Sequence, residues 1–353
     1  MNHPLDSRIE NIPSSCWKLI SEIDNLNGQW ISGAKLSPQI LGRLKRSVLV
    51  TSTGSSTRIE GAILSDEDIE KIMRGISIQR FPNRDTQEVQ GYFELLNNIF
   101  DSWKSMRLSE GLIKSLHKES LKYVEKDKLH RGDYKHSENK VIMINQAGES
   151  VGTLFDTTPA YLTPAAMQEL VTWFREAFIK GKHHSLLVIA NFLVEFLKIH
   201  PFQDGNGRLS RILNNLLMLQ AGYHYMPYVS LEKIIEDSKA DYHLALRQSQ
   251  KTFGTKDENI LAWLQFFLKV TKTQAEQAQR LIYREDVLRL VSPAQLAVYE
   301  YLKKHEIAGP KELSENLNIP RPTINQVVNR LMQYKLIERT GIGRATQYKF
   351  ISE

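Results

Sequence analysis

The stretch His200-Pro201-Phe202-Gln203-Asp204-Gly205-Asn206-Gly207-Arg208-Leu209-Ser210-Arg211 lies between two apolar segments, residues 185–199 and 209–221. Both segments are predicted to be helices, and the proline at the start of the stretch cannot continue the first of them. The Gly-Asn-Gly at 205–207 tolerates positive φ angles, so backbone N–H groups can converge into an anion-binding nest. The second helix starts directly afterwards, and its N-terminal dipole faces the same spot. The stretch therefore predicts a helix–loop–helix with a phosphate site in the loop.

Four side chains of this stretch carry the chemistry expected of such a site. Arg208 and Arg211 are three residues apart and so share one face of the second helix. Asp204 offers a carboxylate of the kind that holds Mg²⁺ beside phosphates, and His200 at the rim can act as a base near neutral pH. Each feature alone is more often a cap, a turn or a salt bridge. Their combination in one short loop favours phosphate binding.

The loop matches the Fic motif, His-x-Phe-x-Asp/Glu-Gly-Asn-Gly-Arg-x-x-Arg, at every specified position. The chain therefore resembles the Fic family over about residues 7–267. This resemblance implies a mainly α fold with a β-hairpin flap, and transfer of a nucleoside monophosphate from a nucleotide to a hydroxyl group. ATP as the substrate and Mg²⁺ as the metal are the most common choice in this family, so the resemblance favours both.

The resemblance also implies roles for individual residues. His200 would be the catalytic base, Phe202 would anchor the loop in the core, and Asp204 would coordinate Mg²⁺. Asn206 and the glycine amides would hold the α- and β-phosphates, and the two arginines the outer phosphates. Tyr242 resembles the tyrosine that lines the nucleotide pocket, although a role in the core is also open. The nucleotide-binding residues implied in this way are Glu60, His200, Asp204, Gly205, Asn206, Gly207, Arg208, Arg211 and Tyr242.

A second segment, Ser55-Ser56-Thr57-Arg58-Ile59-Glu60-Gly61, precedes this core. Thr57 and Glu60 have the spacing of a helix capping box, and Gly61 could end a helical turn. Ser56, Glu60 and Gly61 also match the inhibitory motif of Fic proteins, (S/T)xxxE(G/N). The resemblance implies that Glu60 pairs with Arg211 and occupies the place of the γ-phosphate, so that ATP binds out of line for attack.

Residues 140–155 contain two β-rich runs separated by Gln146-Ala147-Gly148-Glu149, which predicts a β-hairpin. Fic proteins carry a flap at this place, and such an edge could align a target segment by strand addition. A surface hairpin without a partner is the alternative. The family often has an arginine after a glycine ahead of the flap, whereas this chain has Lys135 after Gly132.

Most of the remaining chain is predicted to be helical. The segments with helical periodicity are 9–23, 37–50, 65–73, 86–103, 109–122, 165–179, 230–251 and 258–284. From about residue 291, three short helices (292–305, 310–317 and 323–334) and two strands (336–339 and 347–351) resemble a winged helix-turn-helix. We therefore predict an N-terminal helical region with the inhibitory motif (1–110), a Fic core (111–285) and a winged-helix domain (286–353).

The winged-helix segment is basic. Between residues 316 and 352, a single acidic residue, Glu338, accompanies the positive residues Arg321, Arg330, Lys335, Arg339, Arg344 and Lys349. Contact with DNA follows if the segment acts as winged helices often do. Docking of a protein or dimerisation is the alternative, and a homodimer is compatible with the sequence.

Composition excludes several classes of protein. The chain has 353 residues, a net charge of +6 and one cysteine, Cys16, so no intrachain disulfide can form. This cysteine usage favours a reducing compartment, and we expect a cytoplasmic protein without a secretory signal. Charged residues interrupt the most apolar stretches, which are also too short to span a membrane. We therefore expect no contact with membranes.

These features predict a protein adenylyltransferase that transfers AMP from ATP to a Ser, Thr or Tyr hydroxyl of a target protein and is autoinhibited by Glu60. The target itself is not named by the sequence. Transfer of UMP, GMP or phosphocholine, removal of AMP, and self-modification stay open. The alternative from another class is a DNA-binding transcriptional regulator that only senses nucleotide. The intact motif favours the enzyme, because a sensor does not require His200.

Overall fold

The computed structural model describes the chain except for residues 1–2, 34–35, 76–82, 145–149, 342 and 352–353. It divides into two compact units, Met1–Ala278 and Gln279–Glu353. The domain boundaries predicted at residues 110 and 285 stay predictions.

The first unit is built from α-helices and one β-hairpin. Its helices are α1 (Pro4–Glu10), α2 (Ser14–Gly33), α3 (Pro38–Ile59), α4 (Asp66–Met73), α5 (Asn83–Ser102), α6 (Glu110–Ser120), α7 (Thr163–Lys180), α8 (Ser185–Ile199), α9 (Asn206–Gln220), α10 (Leu231–Asp237), α11 (Lys239–Gln250) and α12 (Leu261–Leu290). The last of these contains the division between the units. The predicted mainly α fold is confirmed.

Helix α8 lies at the centre of this unit, as its apolar sequence predicts. Most of its side chains are buried, and it contacts α1, α7, α9 and α11. Each fully buried Leu, Ile or Phe contributes about 1.5–3 kcal/mol relative to exposure. Trp263 of α12 adds a buried hydrogen bond from its indole nitrogen to the Ala190 carbonyl, 2.7 Å long. The two helices that flank the phosphate loop are thus fixed by the core.

Several helix boundaries differ from the predictions for local reasons. The single helix predicted over 230–251 is wrong, because Ser238 leaves helical geometry and separates α10 from α11. The helix predicted over 9–23 is divided before Ser14, at Asn11 and Pro13. Helix α3 continues nine residues past the predicted end at Val50, because the small polar residues that follow are buried and pack closely.

The predicted hairpin is present in the first unit. Strands β1 (Lys140–Ile144) and β2 (Ser150–Asp156) pair antiparallel, with Lys140 opposite Asp156 and two irregularities in register. The turn predicted at Gln146-Ala147-Gly148-Glu149 lies outside the described residues.

The second unit is a winged helix, as predicted. It contains α13 (Pro293–His305), β3 (Ile307–Ala308), α14 (Pro310–Leu317), α15 (Arg321–Gln333), β4 (Ile337–Thr340) and β5 (Gln347–Phe350). The sheet has the antiparallel order β3-β5-β4. Strand β3 was not predicted, because two residues are too few to show alternation. Ile342, in the predicted wing, lies outside the described residues.

Within the described ranges, no helix combines the length and the apolar character that crossing a membrane requires.

Candidate active site

The loop between α8 and α9 turns at two residues with left-handed backbone geometry. His200 ends α8 with φ 52°, and its N–H donates to the Phe196 carbonyl over 2.9 Å. Gly205 precedes α9 with φ 77°, and a Cβ there would lie 3.4 Å from His117 Nε2. The N-cap residue of α9, Gly205, provides no side chain to cap the first turn of the helix. That turn therefore presents backbone N–H groups toward the loop, as an anion site requires.

Asn206 fixes the loop from within. Its Oδ1 accepts from the Phe202 N–H over 2.9 Å, and its Nδ2 donates to the Phe202 carbonyl over 2.8 Å. Both side chains are buried. The side-chain amide of Asn206 is thus occupied, so any phosphate contact of this residue falls to its backbone N–H. Phe202 lies in the core, where the family resemblance puts it.

His117 of α6 also holds the loop, and the sequence did not identify it. Its ring stacks on Phe202 with 3.8 Å between centroids. Its Nδ1 accepts from the Gly132 N–H over 2.9 Å, so Nε2 carries the hydrogen and donates to the Asp204 carbonyl over 2.9 Å. Burial lowers the pKa of His117 to about 4, which keeps this tautomer neutral. A lone histidine in a helix gives no sequence signal for such a role.

His200 lines the cavity beside this loop and is half-buried. Its Nδ1 lies 3.2 Å from the Leu197 carbonyl and donates to it, which leaves Nε2 as the basic nitrogen. Burial, together with the positive charge of Lys135, lowers the pKa of His200 to about 4. The imidazole is therefore neutral at physiological pH and able to accept a proton.

This pKa gives a direct prediction for the free protein. The NMR signals of the His200 ring can be assigned by their absence in His200→Ala. Their chemical shifts should stay those of a neutral imidazole from pH 8 down to pH 5.5. An unperturbed histidine with a pKa near 6.5 would be about 90% protonated at pH 5.5. A titration midpoint near 6.5 in the NMR spectra would contradict the burial described for this side chain.

Lys135 ties the base of the hairpin to the end of α8. Its Nζ donates to Asn139 Oδ1 (2.8 Å), Thr157 Oγ1 (2.9 Å) and the Ile199 carbonyl (3.1 Å). Its backbone N–H donates to the Pro201 carbonyl over 2.8 Å. Burial lowers its pKa to about 8. The lysine at the place where the family often has arginine is therefore a buried structural cation.

A group of acidic and basic side chains lines the other side of the loop. Arg208 is buried. Its NH1 lies 2.5 Å from Glu88 Oε2, and its NH2 lies 3.5 Å from Asp204 Oδ2. The NH2 of Arg84 contacts Asp204 Oδ2 and lies 3.3 Å from Asp127 Oδ2, and its Nε lies 2.8 Å from Glu88 Oε1. Although burial opposes ionisation of Asp204, Arg208 keeps its pKa below the usual value. Arg84, Glu88 and Asp127 come from distant segments and were not predicted.

The acidic members of this group have the donor chemistry that Mg²⁺ prefers. One carboxylate oxygen from each of Glu88, Asp127 and Asp204 lies within 4.8 Å of the others. Hard oxygen donors of this kind suit Mg²⁺. The residues present therefore fit the metal that the family resemblance implies, and Asp204 of the phosphate loop is one of them.

Glu60 ends α3 directly over the first turn of α9. Its Oε1 accepts from Arg211 NH2 over 2.7 Å. A Cβ added to Gly207 would lie 2.2 Å from this oxygen, so a larger residue there would force the carboxylate to move. Although burial opposes ionisation, the charge of Arg211 keeps the pKa of Glu60 below its usual value. Gly61 follows with φ 103°, as expected after a helix end.

The capping-box interpretation of this segment is wrong. Thr57 lies inside the last turns of α3, and its hydroxyl donates back to the carbonyls of Thr53 and Gly54 over 3.0 and 2.9 Å. Glu60 is the C-cap residue of the helix. The segment ends a helix instead of beginning one.

Most of the predicted site residues line one cavity of about 570 Å³. His200, Asp204 and residues 205–208 form one side, and Thr57, Glu60 and Gly61 another. Tyr242 and His243 of α11 also line it. Tyr242 is almost fully buried and also packs against Trp263 and Phe266, so it belongs to both cavity and core. Arg211 lies behind Glu60 and is buried.

Two segments of the chain match models of known families. Residues 107–218 match the model of the Fic/DOC family. Residues 291–352 match a second family, described as sugar-specific transcriptional regulator TrmB.

Individual relatives agree with the first of these matches. A probable protein adenylyltransferase from Aquifex aeolicus is 26% identical over 192 residues, which cover 54% of this chain and 56% of that protein. The protein adenylyltransferase Fic of Drosophila melanogaster is 42% identical over 52 residues, 14% of this chain and 11% of that protein. The chain thus spans about half of the first relative and a small part of the second.

Solved structures share the fold. A Fic family protein from Desulfovibrio desulfuricans G20 has a TM-score of 0.61 at 22% identity, covering 97% of this chain and 98% of its own. Fic-1 of C. elegans (residues 134–508) has a TM-score of 0.62 at 18% identity, covering 77% of this chain and 74% of its own. At these identities the likeness concerns the fold alone.

Proposed function

We propose that this protein is an adenylyltransferase that transfers AMP from ATP to a hydroxyl side chain of a target protein. The observation that carries the proposal is the meeting of three groups at one cavity: the basic nitrogen of His200, the uncapped first turn of α9 and the buried Arg208. The Nε donor of Arg208 is buried and has no acceptor within the described chain, which suits an anion such as phosphate. The Aquifex and Drosophila relatives named as adenylyltransferases support the same reaction.

The reaction follows from these groups. The target hydroxyl attacks the α-phosphorus, a new P–O bond forms, and the bond between the α-phosphorus and its bridging oxygen breaks. Pyrophosphate leaves with that oxygen, and the hydroxyl proton passes to His200 Nε2. The N–H groups of α9 and the Arg208 guanidinium stabilise the charge on the phosphates. Mg²⁺, when bound, supplies further positive charge at the polyphosphate.

Removal of the metal should stop the reaction. We expect Asp204→Ala, or excess chelator, to lower transfer by at least about a hundredfold, as loss of a counter-ion worth a few kcal/mol predicts. Labelled AMP incorporation measures this. Asp237→Ala removes an exposed carboxylate paired with Lys233 and should leave transfer unchanged. Full activity in chelator would refute the assignment of Asp204 to a metal.

We further propose that Glu60 holds the activity low. Support comes from its 2.7 Å bond to Arg211, which directs the guanidinium at Glu60 instead of a nucleotide phosphate. Its carboxylate also lies over Gly207, where phosphates would approach the first turn of α9. While the Glu60 carboxylate occupies this place, ATP would bind with its α-phosphate out of line for attack by the target hydroxyl near His200.

The identity of the transferred group is part of the proposal. The groups of the loop are suited to the phosphates of a nucleotide and do not select its base. We prefer AMP as the transferred group because the relatives are named adenylyltransferases. The direct experiment incubates Glu60→Gly with ATP, GTP, UTP and CDP-choline separately and determines the added mass. An adenylyl adduct from ATP is expected. An adduct from one of the other donors alone would leave the proposed transfer reaction in place with a different donor substrate. Removal of AMP from a modified protein would favour the reverse reaction.

A second candidate function is DNA binding by the winged helix. The match to a family described as transcriptional regulators favours it. Helix α15 exposes Asn325, Gln326, Asn329 and Arg330, next to the exposed Arg321 at its start. Amide side chains pair with adenine and arginine with guanine or phosphate, so this face suits the major groove.

Binding to duplex DNA by the whole protein should weaken steeply as salt rises. Each lost phosphate contact changes the slope of log K against log salt by about 0.9, so Arg330→Ala should lower the slope by about one. Lys311→Ala removes an exposed cation of α14 that lies 3.7 Å from Glu315, and should change it less. No binding to several duplexes at low salt would favour a protein-docking domain.

A further inference from the structure

Arg84, near the start of α5, contacts all three carboxylates that could hold the metal. Its NH2 contacts Asp204 Oδ2 and lies 3.3 Å from Asp127 Oδ2. Its Nε donates to Glu88 Oε1 over 2.8 Å. The three acids come from α5, from the turn after α6 and from the phosphate loop. One guanidinium therefore joins the carboxylates that Mg²⁺ would bind.

Arg84 and Mg²⁺ cannot occupy this cluster together in the observed arrangement. Mg²⁺ binds oxygen at about 2.0–2.1 Å and usually keeps several of its waters. The NH2 of Arg84 already lies within hydrogen-bonding distance of Asp127 and Asp204, so the ion and its waters would meet the guanidinium. Two cations at such a distance also repel each other. Binding of Mg²⁺ to these carboxylates therefore requires Arg84 to move.

Arg208 is a second cation of the same cluster, and it is held much more firmly. Its NH1 lies 2.5 Å from Glu88 and its NH2 3.5 Å from Asp204, and its side chain is only 6% exposed. The side chain of Arg84 is 37% exposed and lines the cavity. Arg84 can therefore turn toward solvent, where water replaces its hydrogen bonds. Arg84 is the exchangeable cation of the pair.

The formal charges of the cluster favour an exchange of Arg84 for a divalent ion. With both arginines in place, three carboxylates and two guanidiniums leave one net negative charge. Loss of Arg84 alone would leave two negative charges, at carboxylates that lie within 4.8 Å of one another and repel. Replacement of Arg84 by Mg²⁺ would give neutrality. Arg84 therefore stabilises the cluster until a divalent ion replaces it.

We propose that Arg84 is a resident cation of the metal site, bound to its carboxylates in the free protein and displaced when Mg²⁺ binds. Competition from Arg84 then sets the Mg²⁺ concentration at which the site fills. Glu60 already lies bonded to Arg211, where a phosphate would bind. Arg84 thus stands in for the metal of Mg·ATP, as Glu60 does for its phosphate. The inference rests on the proposed function for the use of the metal, although the exchange itself can be measured without nucleotide.

Calorimetry of the whole protein with Mn²⁺, as a probe for the Mg²⁺ site, tests the exchange in the absence of nucleotide. Arg84→Gln should bind Mn²⁺ about tenfold more tightly than the unaltered protein, because no charge-assisted hydrogen bonds have to be broken and no neighbouring cation opposes the ion. Arg84→Lys keeps the charge but loses the fork of donors, so its affinity should lie between the two. In a protein carrying Asp204→Asn, the addition of Arg84→Gln should give no such gain.

Arg74→Gln is the matched control. Arg74 also pairs with a glutamate one helical turn away, Glu70 at 3.1 Å, but it does not line the cavity. Its loss changes the net charge by the same amount and should leave Mn²⁺ binding unchanged. An equal gain in Arg74→Gln would show a general effect of charge and overturn the proposal.

An unchanged or weaker Mn²⁺ affinity in folded Arg84→Gln would also overturn it, as would a gain that persists in Asp204→Asn. If Arg84→Gln does not fold, Arg84→Lys decides the matter, because it should still bind Mn²⁺ more tightly than the unaltered protein. Absence of transfer by Glu60→Gly would instead refute the proposed function and would leave the measurement of metal binding unaffected.

Discussion

Glu60→Gly is expected to raise incorporation of label from the α-phosphate of ATP by at least about tenfold, the effect of removing one charge-assisted bond. Arg211→Ala should give no gain. Both variants break the 2.7 Å contact between Glu60 and Arg211. Loss of Glu60 frees the guanidinium and the space over Gly207 for phosphate, whereas loss of Arg211 also removes the phosphate ligand.

The matched control for this pair is Glu236→Gln. Glu236 accepts from Arg58 of the same helix end over 2.6 Å, so its loss weakens α3 without opening the phosphate loop. It should lower the melting temperature and leave labelling at the level of the unaltered protein. If Glu60→Gly behaves in this way too, Glu60 has a structural role and no inhibitory one.

The second large effect concerns the base. His200→Ala should lower transfer by about 10²–10⁴, the usual contribution of a positioned general base. ATP affinity should stay within a few-fold, because the amides of α9 and the arginines supply the phosphate contacts. Labelling and calorimetry, both in the Glu60→Gly background, measure the two effects.

His224→Ala is the control for this prediction, since His224 is exposed and does not line the cavity. It should leave transfer unchanged. Transfer by His200→Ala within a few-fold of the parent would remove His200 from the mechanism. A parallel loss of ATP binding would show that the imidazole fixes the loop instead of accepting a proton.

The features that were predictable from sequence are those fixed by neighbours in the chain. Pro201 and Gly205 determine the turn locally, and the apolar segments on either side identify α8 and α9. The motif residues Glu60 and Arg211 lie 151 positions apart, and only the family resemblance connected them.

The features that were missed depend on side chains brought together by the fold. His117 reaches Phe202 and Asp204 from another helix, and Arg84 reaches Asp204 across 120 positions. The side chain of Asn206 bonds to Phe202 instead of pointing into the cavity, although its position in the motif favours a ligand role. Periodicity and spacing carry no information on such contacts.

The most direct test of adenylyl transfer uses Glu60→Gly with two samples of ATP, one labelled at the α-phosphate and one at the γ-phosphate, in the presence of Mg²⁺. The account predicts that the α-label stays on protein through denaturation, that the γ-label leaves as pyrophosphate, and that adding His200→Ala abolishes the retained label. Retention of the γ-label would indicate phosphorylation instead. Retention of neither label, by a protein that binds ATP, would contradict the assignment of this loop to nucleotidyl transfer.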